Sequence, residues 1–378
     1  MSVSCAEIFN LIEDFAPLNL AEEWDNPGLQ IGDPGLKVNR ILLCLDVDEK
    51  ACDEAVQTGA QLIISHHPLL FKPVKQILTG TPAGALLAKC LCSGLAVYSA
   101  HTNLDNAKGG VNDELAKKLG LGNTKVLRPG HTEDYLKLVV FVPLAHADGV
   151  RRAISLAGAG WIGNYSECTF QTQGTGTFRP LEGSDPFIGK VGELEKVDEI
   201  RLETILPAGR SKEVIKAMCG AHPYEEVAYD LYPLANEGPA MGTGRYGYTD
   251  QPLKLNSFIE KIKSALGIDN VRFGGNPNGT IHSVAVCGGA GASLWTWAKK
   301  AGADVMVTSD IDYHTARDML SNGLSFVDAG HFGTENIIIP VLRKYLEDCC
   351  RQKGFEVDIS TSRTQSDPFS FSPARKFS

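Results

Sequence analysis

In "ISHHPLLF" two adjacent imidazoles follow an apolar run: Ile63 and Ile64 read as buried strand, and His66 and His67 stand where that strand leaves the core. "SAHTNLD" places Asp105 four residues after His101, and "DAGHFGTE" places Glu335 four residues after His331. Imidazole is the commonest ligand of ions such as zinc, and carboxylates suit harder cations and bridging positions. His66, His67, Asp105, His331 and Glu335 therefore offer mixed nitrogen and oxygen ligation, and the set exceeds what one structural zinc ion takes. Neighbouring residues at a strand end point in different directions. Each histidine of the pair can then serve its own ion, with a carboxylate bridging, as in two-metal hydrolases. The expectation is two divalent metal ions per chain, zinc first, with iron, manganese or cobalt admitted by the same donors.

Other residues carry weaker signals. His101 reads as a ligand, a proton shuttle or a partner behind the ligands. Asp310 and His314, in "SDIDYH", follow a second apolar strand, so proton transfer, ligand support or substrate contact stands beside ordinary turn chemistry. "EEWDNPGLQIG" is a good turn on composition, with Trp24 free to fill a core or stack on a flat ring. "VCGGAGAS" resembles a glycine-rich anion cradle but lacks a P-loop lysine and the full dinucleotide fingerprint. No G-x-S-x-G elbow occurs, and no cysteine lies in a His-paired local motif.

The elements that must position these residues repeat. From Arg40, "RILLCLDVDEKACDEAVQTGAQLIISHHP" reads as strand, amphipathic helix and strand, the βαβ plan of a parallel pair. From Ser283, "SVAVCGGAGASLWTWAKKAGADVMVTSDIDYH" repeats it. After each unit comes a short strand ending in His-x-x-x-acid. Residues 1–127 and 246–378 are thus expected to form two related halves of one α/β core domain, delivering polar side chains from strand C-terminal ends. Residues 128–245 change pattern to βαβ written twice, the plan of a ferredoxin-like α+β insert, with "QGTGTFRPLEGSDPFIGKVGE" as an exposed loop. The tail from Ser360 has no periodicity and is expected to be disordered unless Phe369, Phe371 or Phe377 docks.

Bulk properties bound the partners. The chain has 378 residues, 43% hydrophobic and 21% charged, the profile of a globular protein of about two domains. A formal charge of -9, with basic residues no better clustered than pairs such as Lys117-Lys118, argues against a nucleic-acid partner. Acidic residues interrupt the first helical pattern, no apolar run reaches spanning length, and the ten cysteines include no C-x-x-C. These features predict a cytoplasmic protein without a membrane partner.

Taken in order, "WDNPGLQIG", "ISHHPLLF", "SAHTNLD", "VCGGAG" and "DAGHFGTE" resemble the Nif-three-like family, the GTP cyclohydrolase 1 type 2 homologues, over nearly the whole chain. The resemblance implies a dinuclear metal site on His66, His67, Asp105, His331 and Glu335, a PII/CutA-like inserted domain of which "AHPYEEVAYDLYPL" is the telling stretch, and a homohexamer. Pro27 departs from the family pattern. The resulting expectation is a metal-dependent hydrolase acting on a nucleotide or related heterocycle, with His101 or Asp310 moving protons. The alternative is a non-enzymatic metal-binding regulatory or scaffold protein whose insert senses a ligand.

Overall fold

The computed structural model describes residues 3–371. It falls into two compact units, one made of the chain up to His131 together with the chain from Met241, the other of Thr132–Ala240.

The first unit holds a five-stranded and a six-stranded mixed sheet. In the five-stranded sheet, Asp358–Thr361, Arg40–Cys44, Leu62–Ser65 and Ala96–Ser99 run parallel, and Gly28–Ile31 closes the edge antiparallel to Ala96–Ser99. Leu62–Ser65 and Ala96–Ser99 are buried at every position, which is why they read as unbroken apolar runs. The six-stranded sheet centres on parallel Thr280–Val286, Val305–Thr308 and Ser325–Asp328. Local signals set the helices around them. Ser4 and Glu7 form a capping box at the start of Cys5–Phe15. Asp48 caps Glu49–Thr58, whose chain turns out through Gly59 at φ 70°.

The tail corrects an expectation. Asp358–Thr361 is a parallel edge strand beside Arg40–Cys44. Beyond it, Glu54 accepts hydrogen bonds from the Ser362 hydroxyl and the Arg363 N–H, and Gln365 Oε1 accepts from the N–H groups of Leu45 and Asp46. The open backbone of a sheet edge orders this segment, a demand that side-chain composition does not display. Phe369 and Phe371 are exposed, while Phe377 lies outside the described residues.

In the second unit the strand order is Tyr229–Pro233, Tyr135–Pro143, Glu195–Pro207, Thr169–Phe178, all antiparallel. Val150 and Ile154 of helix Ala147–Leu156, and Val214 and Met218 of helix Ser211–Ala221, pack on one face against Leu138, Val140 and Leu202. The glycine-rich "QGTGTF" is part of strand Thr169–Phe178 and not of a loop. Ladder bonds to Glu195–Pro207 use the backbone alone and tolerate its glycines. Among the described residues no helix is long and apolar enough to cross a membrane.

Candidate metal centre

The candidate side chains of the first unit stand at the C-terminal ends of parallel strands or in the short helices that follow them. His66 and His67 directly follow Leu62–Ser65, and His101 lies just past Ala96–Ser99. Asp105 is in the short helix Thr102–Asn106; His331 and Glu335 open and close the helix His331–Glu335 just past Ser325–Asp328. Spacing of four residues within each helical turn puts histidine and acid on one face.

The structure brings His66, His67, Asp105, His331 and Glu335 together. Glu335 Oε2 lies 2.9 Å from His67 Nε2, 3.0 Å from His331 Nε2 and 3.8 Å from His66 Nε2. The Nε2 atoms of His67 and His331 are 3.3 Å apart, and His66 Nε2 is 3.6 Å from Asp105 Oδ1. Three triads have ligand atoms within 4.8 Å of one another: His66, His67 and His101; His67, His331 and Glu335; His66, Asp105 and Glu335.

The outward nitrogens explain the convergence. Nδ1 of His66 meets the Ala100 carbonyl at 2.8 Å, His67 Nδ1 meets Asp46 at 2.7 Å, His331 Nδ1 meets Asp310 at 2.6 Å, and His101 Nδ1 meets Asp25 at 2.8 Å. A proton held at Nδ1 leaves Nε2 as a lone pair aimed inward, the arrangement found behind metal-bound histidines. Two inward atoms, His66 Nε2 and Asp105 Oδ1, are buried without a hydrogen-bond partner. Buried acceptors facing acceptors are costly unless a cation lies among them. The donor set therefore fits a divalent ion, and this cluster could hold one.

Without an ion, protons supply the missing charge. Burial opposes charge on His67, but Asp46 and Glu335 raise its pKa to about 10. The hydrogen bond to Glu335 raises His331 to about 9. Burial likewise opposes ionised Glu335, yet His331, His66 and His67 hold its carboxyl well below the usual range. Asp25 is buried as well, and its hydrogen bonds with His101 and Thr102 bring it down to about 2.

Around these five, Asp310 stands behind a candidate ligand, His314 lies outside the cleft, and the reading of the sequence passed over Asp25 and Asp46. Asp310 adopts φ 56° and turns its carboxylate back onto His331. His314 is exposed in the first turn of helix Tyr313–Ser321 and packs on Tyr313, outside the cleft. Asp25 belongs to the stretch read as a turn, and Asp46 follows strand Arg40–Cys44, a strand-end position equivalent to those of the histidines. The glycines of "VCGGAG" make room: a Cβ on Gly289 would lie 1.9 Å from Glu335 Oε1. The cluster opens into a cleft of about 540 Å³ whose mouth carries Trp24 and Phe71, half-exposed rings 5.7 Å apart, and Arg128, which pairs with Glu22.

Known proteins share this plan. The sequence profile of the Duf34/NIF3 family (NGG1p interacting factor 3) matches residues 3–368. A Halalkalibacterium halodurans protein bearing the name "GTP cyclohydrolase 1 type 2 homolog" is 46% identical over 364 residues, 96% of this chain and 98% of its own. A Bacillus subtilis protein of the same name is 45% identical over 98% of this chain and 99% of its own length. The crystal structure of a Bacillus cereus protein related to NIF3 superposes with a TM-score of 0.90 at 47% identity, covering 98% of this chain and 99% of the other. Profile, relatives and mixed-sheet α/β architecture agree, and the chain belongs to the Duf34/NIF3 family.

Proposed function

We propose that His66, His67, Asp105, His331 and Glu335 hold two divalent metal ions, zinc in the first place, and that the protein is a hydrolase acting on a nucleotide or related heterocycle. The observation that carries this reading is the pair of buried, unpartnered acceptors, His66 Nε2 and Asp105 Oδ1, inside a ring of imidazoles already anchored from behind. Glu335, with one oxygen near three imidazoles, suits the bridging position. Bound there, divalent ions would supply Lewis acidity and lower the pKa of water toward neutrality.

The chain's own residues do the rest. His101, oriented by Asp25 at the wall of the cleft, offers Nε2 to hold or pass a proton. Asp310 acts through His331 by fixing its ring. Trp24 and Phe71 present ring faces against which a flat heterocycle can lie, consistent with the name carried by the H. halodurans and B. subtilis relatives. The strand order of the second unit, last-first-third-second with two helices on one face, supports reading it as a ferredoxin-like, PII/CutA-like insert. We also take residues 1–127 and 246–378 as related halves of one domain, and the working form as a cytoplasmic homohexamer.

Elemental analysis of the purified, reconstituted protein beside His66→Ala and Glu335→Ala, with turnover of GTP and a nucleotide panel on the same samples, tests the reading. About two metals per chain, lost in both variants together with turnover, is the expected result. Metal without any turnover overturns the hydrolase, and no metal after reconstitution overturns the centre itself.

A further inference from the structure

The insert sheet carries helices on one face only. Over its other face the chain beyond Phe178 folds back and, with the sheet, lines a half-open cavity of about 590 Å³, a volume typical of small-molecule sites. Its walls are aromatic: the rings of Phe178 and Phe187 lie 5.8 and 6.3 Å from that of Tyr224, and Phe141 faces in from the sheet.

One buried charged group sits among them. Glu199 is only 8% exposed, and its carboxylate accepts a single hydrogen bond, from the Tyr224 hydroxyl at 3.0 Å. Among the described residues no Lys or Arg pairs with it. Arg201, on the same face, is turned to Glu203 at 2.8 Å and to the ring of Phe141. Room for the carboxylate exists because residue 176 is glycine: a Cβ there would stand 2.0 Å from Glu199 Oε2. Glu225 and Glu226 also line the cavity, so three carboxylates stand against one guanidinium.

A buried carboxylate with one neutral partner bears an uncompensated desolvation cost, which a cation removes. Aromatic faces attract the same kind of ligand through their quadrupoles. We propose that this cavity binds a small organic cation, an ammonium or amidinium on an apolar or flat body, with Glu199 as its counter-ion. The site lies wholly within the insert and stands whether or not the metal centre is a hydrolase.

Benzylamine, benzamidine, benzyl alcohol and benzoate vary charge on one ring and make a suitable probe series. Titration calorimetry on the full chain saturated with zinc should show the two cations binding at least about tenfold more tightly than the neutral and anionic members. Glu199→Gln keeps the acceptor for Tyr224 and should remove that preference, while Phe187→Ala, at an exposed position, should weaken the cations with the fold intact by circular dichroism. Equal binding across the series, no binding of either cation, or unchanged cation affinity in Glu199→Gln overturns the proposal.

Discussion

The Nδ1 partners decide which nitrogen each histidine can offer. Asp46 and Asp310 hold His67 and His331 through short hydrogen bonds, so Asp46→Asn and Asp310→Asn should leave the fold intact and lower metal affinity about 10- to 100-fold, read by competition with a chromogenic chelator. Protonation gives a second expectation. His67 and His331 titrate near 10 and 9 in the metal-free protein, above the ordinary 6.5. Raised imidazole pKa values stabilise the folded state below about 6.5, and that contribution is lost as pH rises through 9 to 10. The metal-free protein should therefore lose melting temperature between pH 7 and pH 10. Metal uptake in the lower part of that range should release protons, detected by calorimetry in buffers of different ionisation enthalpy. At this scale the histidines and their paired acids were legible, since each marks a strand end or a single helical turn. Asp25 was not, because its value lies in a hydrogen bond to His101, 76 residues away, and a turn explains its local sequence equally well.

Strands and helices were legible wherever packing sets side-chain pattern. Leu62–Ser65 and Val305–Thr308, buried throughout, announce themselves as apolar runs. Asp358–Thr361 and the glycine-rich second half of Thr169–Phe178 do not, since backbone pairing at an edge asks little of side chains. Glu54 is the link that holds the first of these through its sequel: it accepts from Ser362 and Arg363. Glu54→Ala should cost roughly 1.5–3 kcal/mol, measured by urea unfolding, and should make the tail more sensitive to protease. A tail that stays protected in this variant would place its anchoring in the strand pairing and in the Gln365 contacts to Leu45 and Asp46.

At the scale of the whole molecule, composition already weighed against a phosphate-backbone partner, but assembly leaves no periodic trace in one chain. The proposed homohexamer predicts a light-scattering mass about six times the chain's 40.7 kDa. A mass of one or two chains would discard it.

The edge strand near the end of the chain also bears on how the molecule is made. Asp358–Thr361 must return to Arg40–Cys44, laid down near the beginning, and Glu335 must meet His66 across a similar stretch of sequence. Such distant pairings form late because loop closure precedes their reward. On a ribosome that releases the N-terminus first, Thr132–Ala240 has all its strands in hand while the first sheet still lacks an edge and the metal centre two of its donors. Ion capture by the proposed centre would then be a post-synthetic event, and the metal it takes would be set by what the finished chain meets rather than by what surrounds it as it emerges.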